Sequence, residues 1–226
     1  PVPCGASLAS LGLEPPTSGP PSQRERFQSD SSLGSERLAP GKKNACRLNA
    51  YICFMDESGF SQRPPVRATW APRGKTPLQI ESVGWKQLSG IGTIGVTSHG
   101  RNPLWFLTLQ PGSIRTPHIL RFLKALKRHC RRKVVLVWDN LPAHKSKAVR
   151  RYATENRRWL KLVYLPAYSP ELNPVELLWD YLDDTELANT AVEDLKEIGR
   201  RLRRGMQRIG RQPHKALGFL RHTDLF

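Results

Sequence analysis

The sequence predicts an α/β fold in which a mixed sheet, an antiparallel meander plus parallel strands, is flanked by helices. Two observations carry this prediction. Three strand-like segments come first, and segments with helical spacing then alternate with short strands, giving the order β-β-β-α-β-α-β-α. The run 134–138, Val-Val-Leu-Val-Trp, is apolar without interruption, which is typical of a strand covered on both faces. The helices are numerous enough to provide that cover.

Residues 1–42 are predicted to be a disordered tail or linker, and residues 43–226 to form the folded domain. Pro, Ser and Gly dominate the first segment, as in the stretch 14–22, Glu-Pro-Pro-Thr-Ser-Gly-Pro-Pro-Ser. Such a segment shows neither helical nor strand periodicity and has too few apolar residues to form a core.

The meander is predicted from three strands near the start of the folded domain. The first covers Tyr51–Met55 and ends at Asp56. The second and third cover Leu88–Thr97 and Leu104–Leu109, and the turn residues 98–103, Ser-His-Gly-Arg-Asn-Pro, separate them.

Helices and parallel strands are predicted to alternate after the meander. Thr116 is the expected N-cap of the first helix, with Pro117 at its first helical position. The remaining predicted elements are the strand 134–138, a helix over 147–156, a strand over 160–165, a helix that begins after Pro174, and an amphipathic basic helix containing Leu195, Ile198 and Leu202.

The chain is strongly basic, and its formal net charge of +17 lies mostly in the folded domain. Residues 45–226 hold 31 Lys and Arg against 15 Asp and Glu, and no acid occurs from Ser82 through Trp138. This balance is typical of a protein that meets phosphate backbones, since bound cations release condensed counterions. The alternative is a basic protein that charge keeps in solution.

Cysteine usage and hydropathy predict a cytoplasmic protein with reduced thiols and no membrane partner. The four cysteines form no C-x-x-C pair, and the six histidines lack zinc-ligand spacing. No apolar stretch is long enough to span a bilayer, and the N-terminus lacks a signal-peptide pattern.

Three carboxylates occupy positions that predict a metal site. Asp56 and Asp139 each follow a strand, and Glu176 opens a helix directly after Asn173-Pro174. Like charges raise one another's pKa, and a divalent cation relieves their repulsion. Oxygen-only ligands favour Mg²⁺ or Mn²⁺, and a two-ion site can catalyse phosphoryl transfer. In a basic protein the expected substrate is a nucleic-acid phosphodiester.

Each carboxylate also has a structural alternative. Asp56 can be a turn residue, Asp139 with Asn140 can cap a loop, and Glu176 can be an acid that interacts with the helix dipole. The other acids of these segments are interpreted as solvated or capping: Glu57, Glu171, Asp180, Asp183 and Asp184.

Four motif blocks resemble the mariner-like DDE transposase superfamily, in its bacterial insertion-sequence branch. They are 56–60 (Asp-Glu-Ser-Gly-Phe), 64–74 (with Trp-Ala-Pro-Arg-Gly), 134–144 (with Trp-Asp-Asn-Leu-Pro-Ala-His) and 165–179. The resemblance implies an RNase H-like fold and a catalytic, metal-binding triad of Asp56, Asp139 and Glu176, with 36 residues between the last two.

The resemblance also implies a function. Such transposases cut DNA at transposon ends and join the freed 3′ hydroxyl to target DNA, usually at TA, as a homodimer when active. Asn140, His144 and Asn173 are then expected to support the site, although His144 can equally be an ordinary loop residue. Trp70 can contact DNA or stabilise a hairpin. The expected DNA-binding residues are Arg73, Lys75, Lys145, Lys147, Arg200, Arg201, Arg203 and Arg204.

The sequence departs from the superfamily's pattern in two places. No helix-turn-helix module is present in residues 1–42, so either this copy is truncated or the module lies on a separate polypeptide. Asp183-Asp184 is expected to weaken local DNA contact. A catalytically inactive DNA-binding remnant therefore remains the alternative, and a nuclease acting on RNA in hybrids is disfavoured by the block 169–176. The implied setting is bacterial and nucleoid-associated.

Overall fold

The computed structural model describes residues 45–63, 65–67, 84, 86–166, 172–190, 192 and 194–221. The predicted tail 1–42 lies outside these residues, as do Trp70, Arg73, Lys75 and Glu171. No helix in the described part of the chain is long and apolar enough to cross a membrane.

The described residues form a five-stranded mixed sheet with the strand order β3-β2-β1-β4-β5. The first three strands form the predicted antiparallel meander, and β4 and β5 run parallel to β1. The mixed-sheet prediction is therefore confirmed. The strands are β1 (Tyr51–Ser61), β2 (Gln87–Thr97), β3 (Leu104–Pro111), β4 (Val134–Trp138) and β5 (Leu160–Tyr164).

Helices cover both faces of the sheet. Alternate residues of β1 and β4 point to opposite faces, so each central strand contributes to two cores. The helices are α1 (Thr116–His129), α2 (Lys147–Glu155), α3 (Val175–Leu182), a π-helix (Asp183–Leu187), α4 (Leu195–Gly210) and α5 (Pro213–Arg221).

The first face carries Phe54 and Val137 and packs against α3, α4 and α5. The second face carries Met55 and Trp138 and packs against α1 and α2. Burial on both faces explains why the run 134–138 is apolar at every position.

The predicted N-cap of α1 is wrong by one residue. Arg115, with an extended backbone at φ −136° and ψ 168°, precedes the helix, and Thr116 is already helical. The ring of His118 accepts a hydrogen bond from the backbone N–H of Arg115 at 3.0 Å. This contact is the reciprocal half of a capping box, in which a side chain of the first turn satisfies the backbone N–H of the residue before the helix.

Strand β1 is longer than predicted, and Asp56 lies inside it rather than at its end. The strand continues to Ser61 because β2 pairs with it along its whole length, with Asp56 opposite Gly92. Local sequence does not show this extension, since residues 56–59 are polar or glycine and the pairing is long-range. The parallel pairing with β4 nevertheless ends at Phe54↔Val137, before Asp56.

Candidate active site

Strand register brings Asp56 and Asp139 to the same level of the sheet. Each lies two residues beyond the last parallel pair, Phe54↔Val137. Neighbouring strands are about 4.8 Å apart, so the two backbones are adjacent there. The two residues therefore lie at the same level next to each other, although β1 itself continues past that point.

Helix α3 places Glu176 and Trp179 beside Asp56. Trp179 Nε1 donates a hydrogen bond to Asp56 Oδ2 at 2.9 Å. Glu176 lies in the first turn of α3, whose Val175 and Leu178 side chains are fully buried on the first face. The apolar side of the helix therefore fixes the position of its acidic first turn.

Asn173 supports the start of α3. Its side chain is 5% exposed, and its Oδ1 accepts a hydrogen bond from the backbone N–H of Val175 at 3.3 Å. Its own carbonyl accepts from the backbone N–H of Glu176 at 3.1 Å. Proline at position 174 offers no side-chain cap, so Asn173 supplies one from the residue before it.

The electrostatics of Asp56 and Glu176 indicate excess negative charge. Burial, followed by the nearby Glu176, raises the pKa of Asp56 to about 7. Burial, followed by Asp180, also raises the pKa of Glu176. Ionised carboxylates in such a setting favour either a proton or a cation.

The carboxylates fit a divalent cation in donor type and in charge. Their donor atoms are all oxygen, as Mg²⁺ and Mn²⁺ prefer. The raised pKa of Asp56 marks negative charge that no basic side chain in the described part of the chain offsets. Within the described residues, however, no three His, Cys, Asp or Glu side chains form a metal-binding group. The three carboxylates therefore do not converge on one point in this structure.

The sequence left open whether His144 supports the site or is an ordinary loop residue, and the structure buries it fully. Its Nδ1 lies 2.6 Å from Asp139 Oδ1, and its Nε2 lies 2.8 Å from Glu57 Oε1. The ring stacks on Trp138, with centroids 4.4 Å apart and planes 3° apart. Burial opposes its charge, but the two carboxylates outweigh burial and raise the pKa of His144 to about 9.

The contact with His144 also affects the pKa of Asp139. Burial alone would raise its pKa, but hydrogen bonds from His144 and from the backbone N–H of Leu141 hold that pKa below the ordinary value. The Leu141 N–H donates to Asp139 Oδ1 at 3.0 Å. Asp139 is therefore ionised and held by the loop that follows it, which is the loop-capping contact given above as the structural alternative.

Glu57 was interpreted as a solvated or capping acid, and that interpretation is wrong. Its side chain is only 13% exposed and contacts His144. The residue was missed because the predicted first strand ended at Asp56, so an acid directly after it suggested a solvated turn rather than a buried strand position. The signal that could have found it is the presence of a histidine in the loop after the second acid.

Asn140 connects two segments next to the site through a hydrogen bond. Its side-chain amide donates a hydrogen bond to the backbone carbonyl of Leu165, just beyond β5. The loop after β4 is thereby fastened to the end of the neighbouring strand. The role is structural support, and no contact from Asn140 to the three carboxylates is seen among the described residues.

Gly92 makes room for Trp179. A Cβ at this position would lie 2.3 Å from Trp179 Cη2, closer than atoms can approach. Because Gly92 pairs directly with Asp56, the missing side chain lets the indole lie across β2 and reach the carboxylate. The glycine is therefore required by close packing rather than by backbone conformation.

Replacing Gly92 with alanine is expected to lower the free energy of unfolding by about 1–3 kcal/mol, because the large Trp179 ring must move. Urea unfolding followed by tryptophan fluorescence measures both the loss and the displacement. Gly218→Ala is the matched control, since a Cβ there meets nothing within 4 Å. A Gly92→Ala protein as stable as the wild type would contradict this packing argument.

The predicted DNA-binding residues within the described chain fall into two groups. Lys145 and Lys147 are exposed around the loop that carries His144, at the same end of the sheet as Asp139. On α4, Arg200 and Arg201 pair with Glu197 at 2.7 and 2.9 Å, whereas Arg203 and Arg204 are exposed. The charge of the basic helix is thus partly neutralised within the helix.

Comparison with known proteins identifies the family. A profile described as DDE superfamily endonuclease matches residues 51–199, which extend from β1 into α4. The chain is also 27% identical over 176 residues to the insertion element IS630 uncharacterized 39 kDa protein of Shigella sonnei. That alignment covers 74% of this chain and 48% of the relative. The chain therefore spans about half the length of the curated relative that it matches.

Solved structures show the same fold at low identity. The pre-cleavage Mos1 transpososome has a TM-score of 0.56 at 18% identity, with 93% of this chain and 68% of that chain covered. The mariner Mos1 paired end complex with Mg has a TM-score of 0.57 at 17% identity, with 94% and 62% covered. The RNase H-like fold expected from the motif blocks is confirmed.

Proposed function

Because the chain belongs to the DDE superfamily endonuclease family, as its motif blocks predicted, we propose that it cleaves DNA at the ends of a mobile element and transfers the cut strand into target DNA. The single observation that supports this most is the placement of Asp56 beside Glu176 and level with Asp139. A basic surface around such a site suits a polyanionic substrate.

The proposed cofactor is Mg²⁺ or Mn²⁺ in a two-ion site, held by Asp56, Asp139 and Glu176. Bound there, the ions would neutralise charge on the attacking and leaving oxygens of the phosphodiester. The raised pKa of Asp56 supports this assignment, since a cation would relieve the repulsion from Glu176.

The chain's own residues prepare the site in this proposal. Trp179 holds one oxygen of Asp56, and Asn173 fixes the helix start that carries Glu176. His144 holds one oxygen of Asp139. Each carboxylate is thus positioned by a neighbour before any substrate arrives, which reduces the reorganisation that the reaction requires.

The proposed partners are two DNA molecules and a second copy of the chain. The Mos1 structures are described as a transpososome and a paired end complex, which supports DNA as the partner. A homodimer, TA-containing target DNA and a location at the nucleoid are proposed from the resemblance of the motif blocks alone. End recognition is assigned to a helix-turn-helix module, as the resemblance of the motif blocks implies.

The test of the proposed function is nicking of supercoiled duplex DNA by the wild-type chain with Mg²⁺, with Mn²⁺ and with EDTA. Divalent-dependent conversion to open circles is expected, together with joined products when a precut end is supplied. No cleavage in either metal would overturn the enzymatic proposal for this chain.

The alternative function is a DNA-binding remnant without catalysis. It is favoured by the absence of a three-membered metal-binding group among the described residues. The same experiment separates the two functions, because a remnant binds the DNA and leaves it intact in both metals.

The exposed arginines of α4 are expected to contribute to DNA affinity. Arg203→Gln and Arg204→Gln should each reduce the slope of log affinity against log salt by about 1, since each removes one phosphate contact. Fluorescence anisotropy at several salt concentrations measures the slope. Arg200→Gln is the internal control, because Arg200 is already paired with Glu197 at 2.7 Å. Equal slopes for all variants would contradict DNA contact by this helix.

A further inference from the structure

We infer that Glu57 is a positioning residue of the metal site, acting on Asp139 through His144; the inference rests on the proposed function. Glu57 follows Asp56 in β1, so it lies on the opposite face of the strand and cannot share the position of Asp56. Glu57 is instead connected to Asp139 through the side chain of His144. A single imidazole connects its Oε1 to Asp139 Oδ1, through contacts of 2.8 and 2.6 Å.

The burial of Glu57 is not explained by packing. Its Oε2 is buried and has no hydrogen-bond partner in the described part of the chain. His144 is its sole ion-pair partner among the same residues. A half-satisfied buried carboxylate lowers stability relative to an apolar side chain of similar size. The burial of Glu57 is therefore better explained by its contact with His144 than by a contribution to the stability of the core.

His144 is fixed in orientation by three elements at once. Its ring lies flat on Trp138, which is itself fully buried at the end of β4. Its backbone N–H donates to the carbonyl of Leu141 at 3.0 Å. The stacking sets the plane of the ring, and Glu57 sets its rotation within that plane. Without Glu57, the ring keeps its stacking but loses the contact that aims Nδ1 at Asp139.

Asp139 is held through one oxygen. Its Oδ1 is contacted by His144 and by the Leu141 N–H, whereas its Oδ2 has no hydrogen-bond partner among the described residues. This division keeps one oxygen for the protein and leaves the other for a cation. Hydrogen-bonded partners of metal ligands typically change metal affinity by about 10–100-fold when they are removed.

The test compares two replacements of nearly equal size. Glu57→Gln keeps an acceptor that reaches His144 and loses the charge, whereas Glu57→Leu loses both and suits a buried position. Mn²⁺ affinity is measured on the whole chain from the electron paramagnetic resonance signal of free Mn²⁺. We expect Glu57→Leu to weaken Mn²⁺ binding by about 10–100-fold and Glu57→Gln to restore most of it.

A double-mutant cycle tests the route through His144. Glu57→Leu should have little further effect on Mn²⁺ affinity when His144→Gln is already present, because the contact to Asp139 is then absent. Full additivity would overturn the route. Should Glu57→Leu not fold, Glu57→Asp decides the question, since it keeps the charge but is too short to reach His144 and is expected to weaken binding equally.

The outcomes separate this inference from the proposed function. A wild-type chain that binds no Mn²⁺ overturns the metal site and the inference together. A wild-type chain that binds Mn²⁺ while Glu57→Leu binds it equally well overturns the inference alone. A role confined to stability would lower the melting temperature of Glu57→Leu and leave Mn²⁺ affinity unchanged, which also counts against positioning.

Discussion

Asp139→Asn is expected to reduce the rate of Mn²⁺-dependent DNA nicking by about 10³-fold or more, because an amide nitrogen replaces the oxygen that remains for a cation. The replacement should leave the fold intact. The amide oxygen can still accept hydrogen bonds from Leu141 N–H and from His144, the two donors that contact Asp139 Oδ1. DNA binding should therefore be unchanged while cleavage is lost.

The measurement is single-turnover nicking at saturating protein, with DNA affinity determined separately. Glu155→Gln is the matched control, since it removes one negative charge from an exposed side chain of α2 whose Arg151 partner is 3.8 Å away. Nicking by Asp139→Asn within about tenfold of the wild-type rate would remove Asp139 from the catalytic group. Equal loss in Glu155→Gln would show that nonspecific charge, rather than the site, controls the reaction.

Most of the fold could be predicted because its elements have strong local patterns. The run 134–138 is buried on both faces, and the apolar residues of α1 recur at helical spacing. The ends of β1 and α1 were inaccurate, and the π-helix Asp183–Leu187 and helix α5 (Pro213–Arg221) were not predicted. The extension of β1 to Ser61 depends on pairing with β2, which no local pattern reveals. The cap of α1 depends on a histidine side chain rather than on a typical capping residue.

The candidate site was predicted less completely, for a related reason. Asp139 follows a strand and Glu176 opens a helix, and such positions are conspicuous in a sequence. Asp56 was conspicuous because it ended the predicted first strand, although it lies inside β1. Glu57 is not conspicuous, since an acid beside another acid suggests a solvated turn. Its importance depends on a contact with His144 across 87 residues of sequence, which only the folded chain brings together.

The histidine contact also explains why the two aspartates differ. Asp139 has a cationic neighbour and a lowered pKa, whereas the pKa of Asp56 is raised to about 7 by burial and by Glu176. Pairs of acids whose environments separate their pKa values are typical of functional sites. In the metal-free protein, negative charge is therefore less stable on Asp56 than on Asp139.

Asp56→Asn is expected to abolish divalent-dependent nicking and to stabilise the metal-free protein at pH 8 by about 1–3 kcal/mol. Since folding raises the pKa of Asp56 from 3.8 to about 7, its ionisation opposes folding. Near pH 4 the wild type and Asp56→Asn should have equal free energies of unfolding. The free energy of unfolding of the wild type should then fall below that of Asp56→Asn as the pH rises towards 7, and the difference should stay constant at higher pH. The amide oxygen can still accept from Trp179 Nε1, so the hydrogen bond is kept.

Urea unfolding from pH 4.5 to 8.5, with and without Mn²⁺, measures this difference. Mn²⁺ should stabilise the wild type most at high pH, where Asp56 is ionised and free to bind the ion, and should leave Asp56→Asn nearly unchanged. Glu155→Gln, on the exposed surface of α2, should follow the wild type at every pH. The difference in free energy of unfolding between Asp56→Asn and the wild type could instead be the same at pH 4.5 and pH 8.5. That result would show that burial and Glu176 do not disfavour the charge of Asp56. It would remove the main electrostatic argument for a cation at this site.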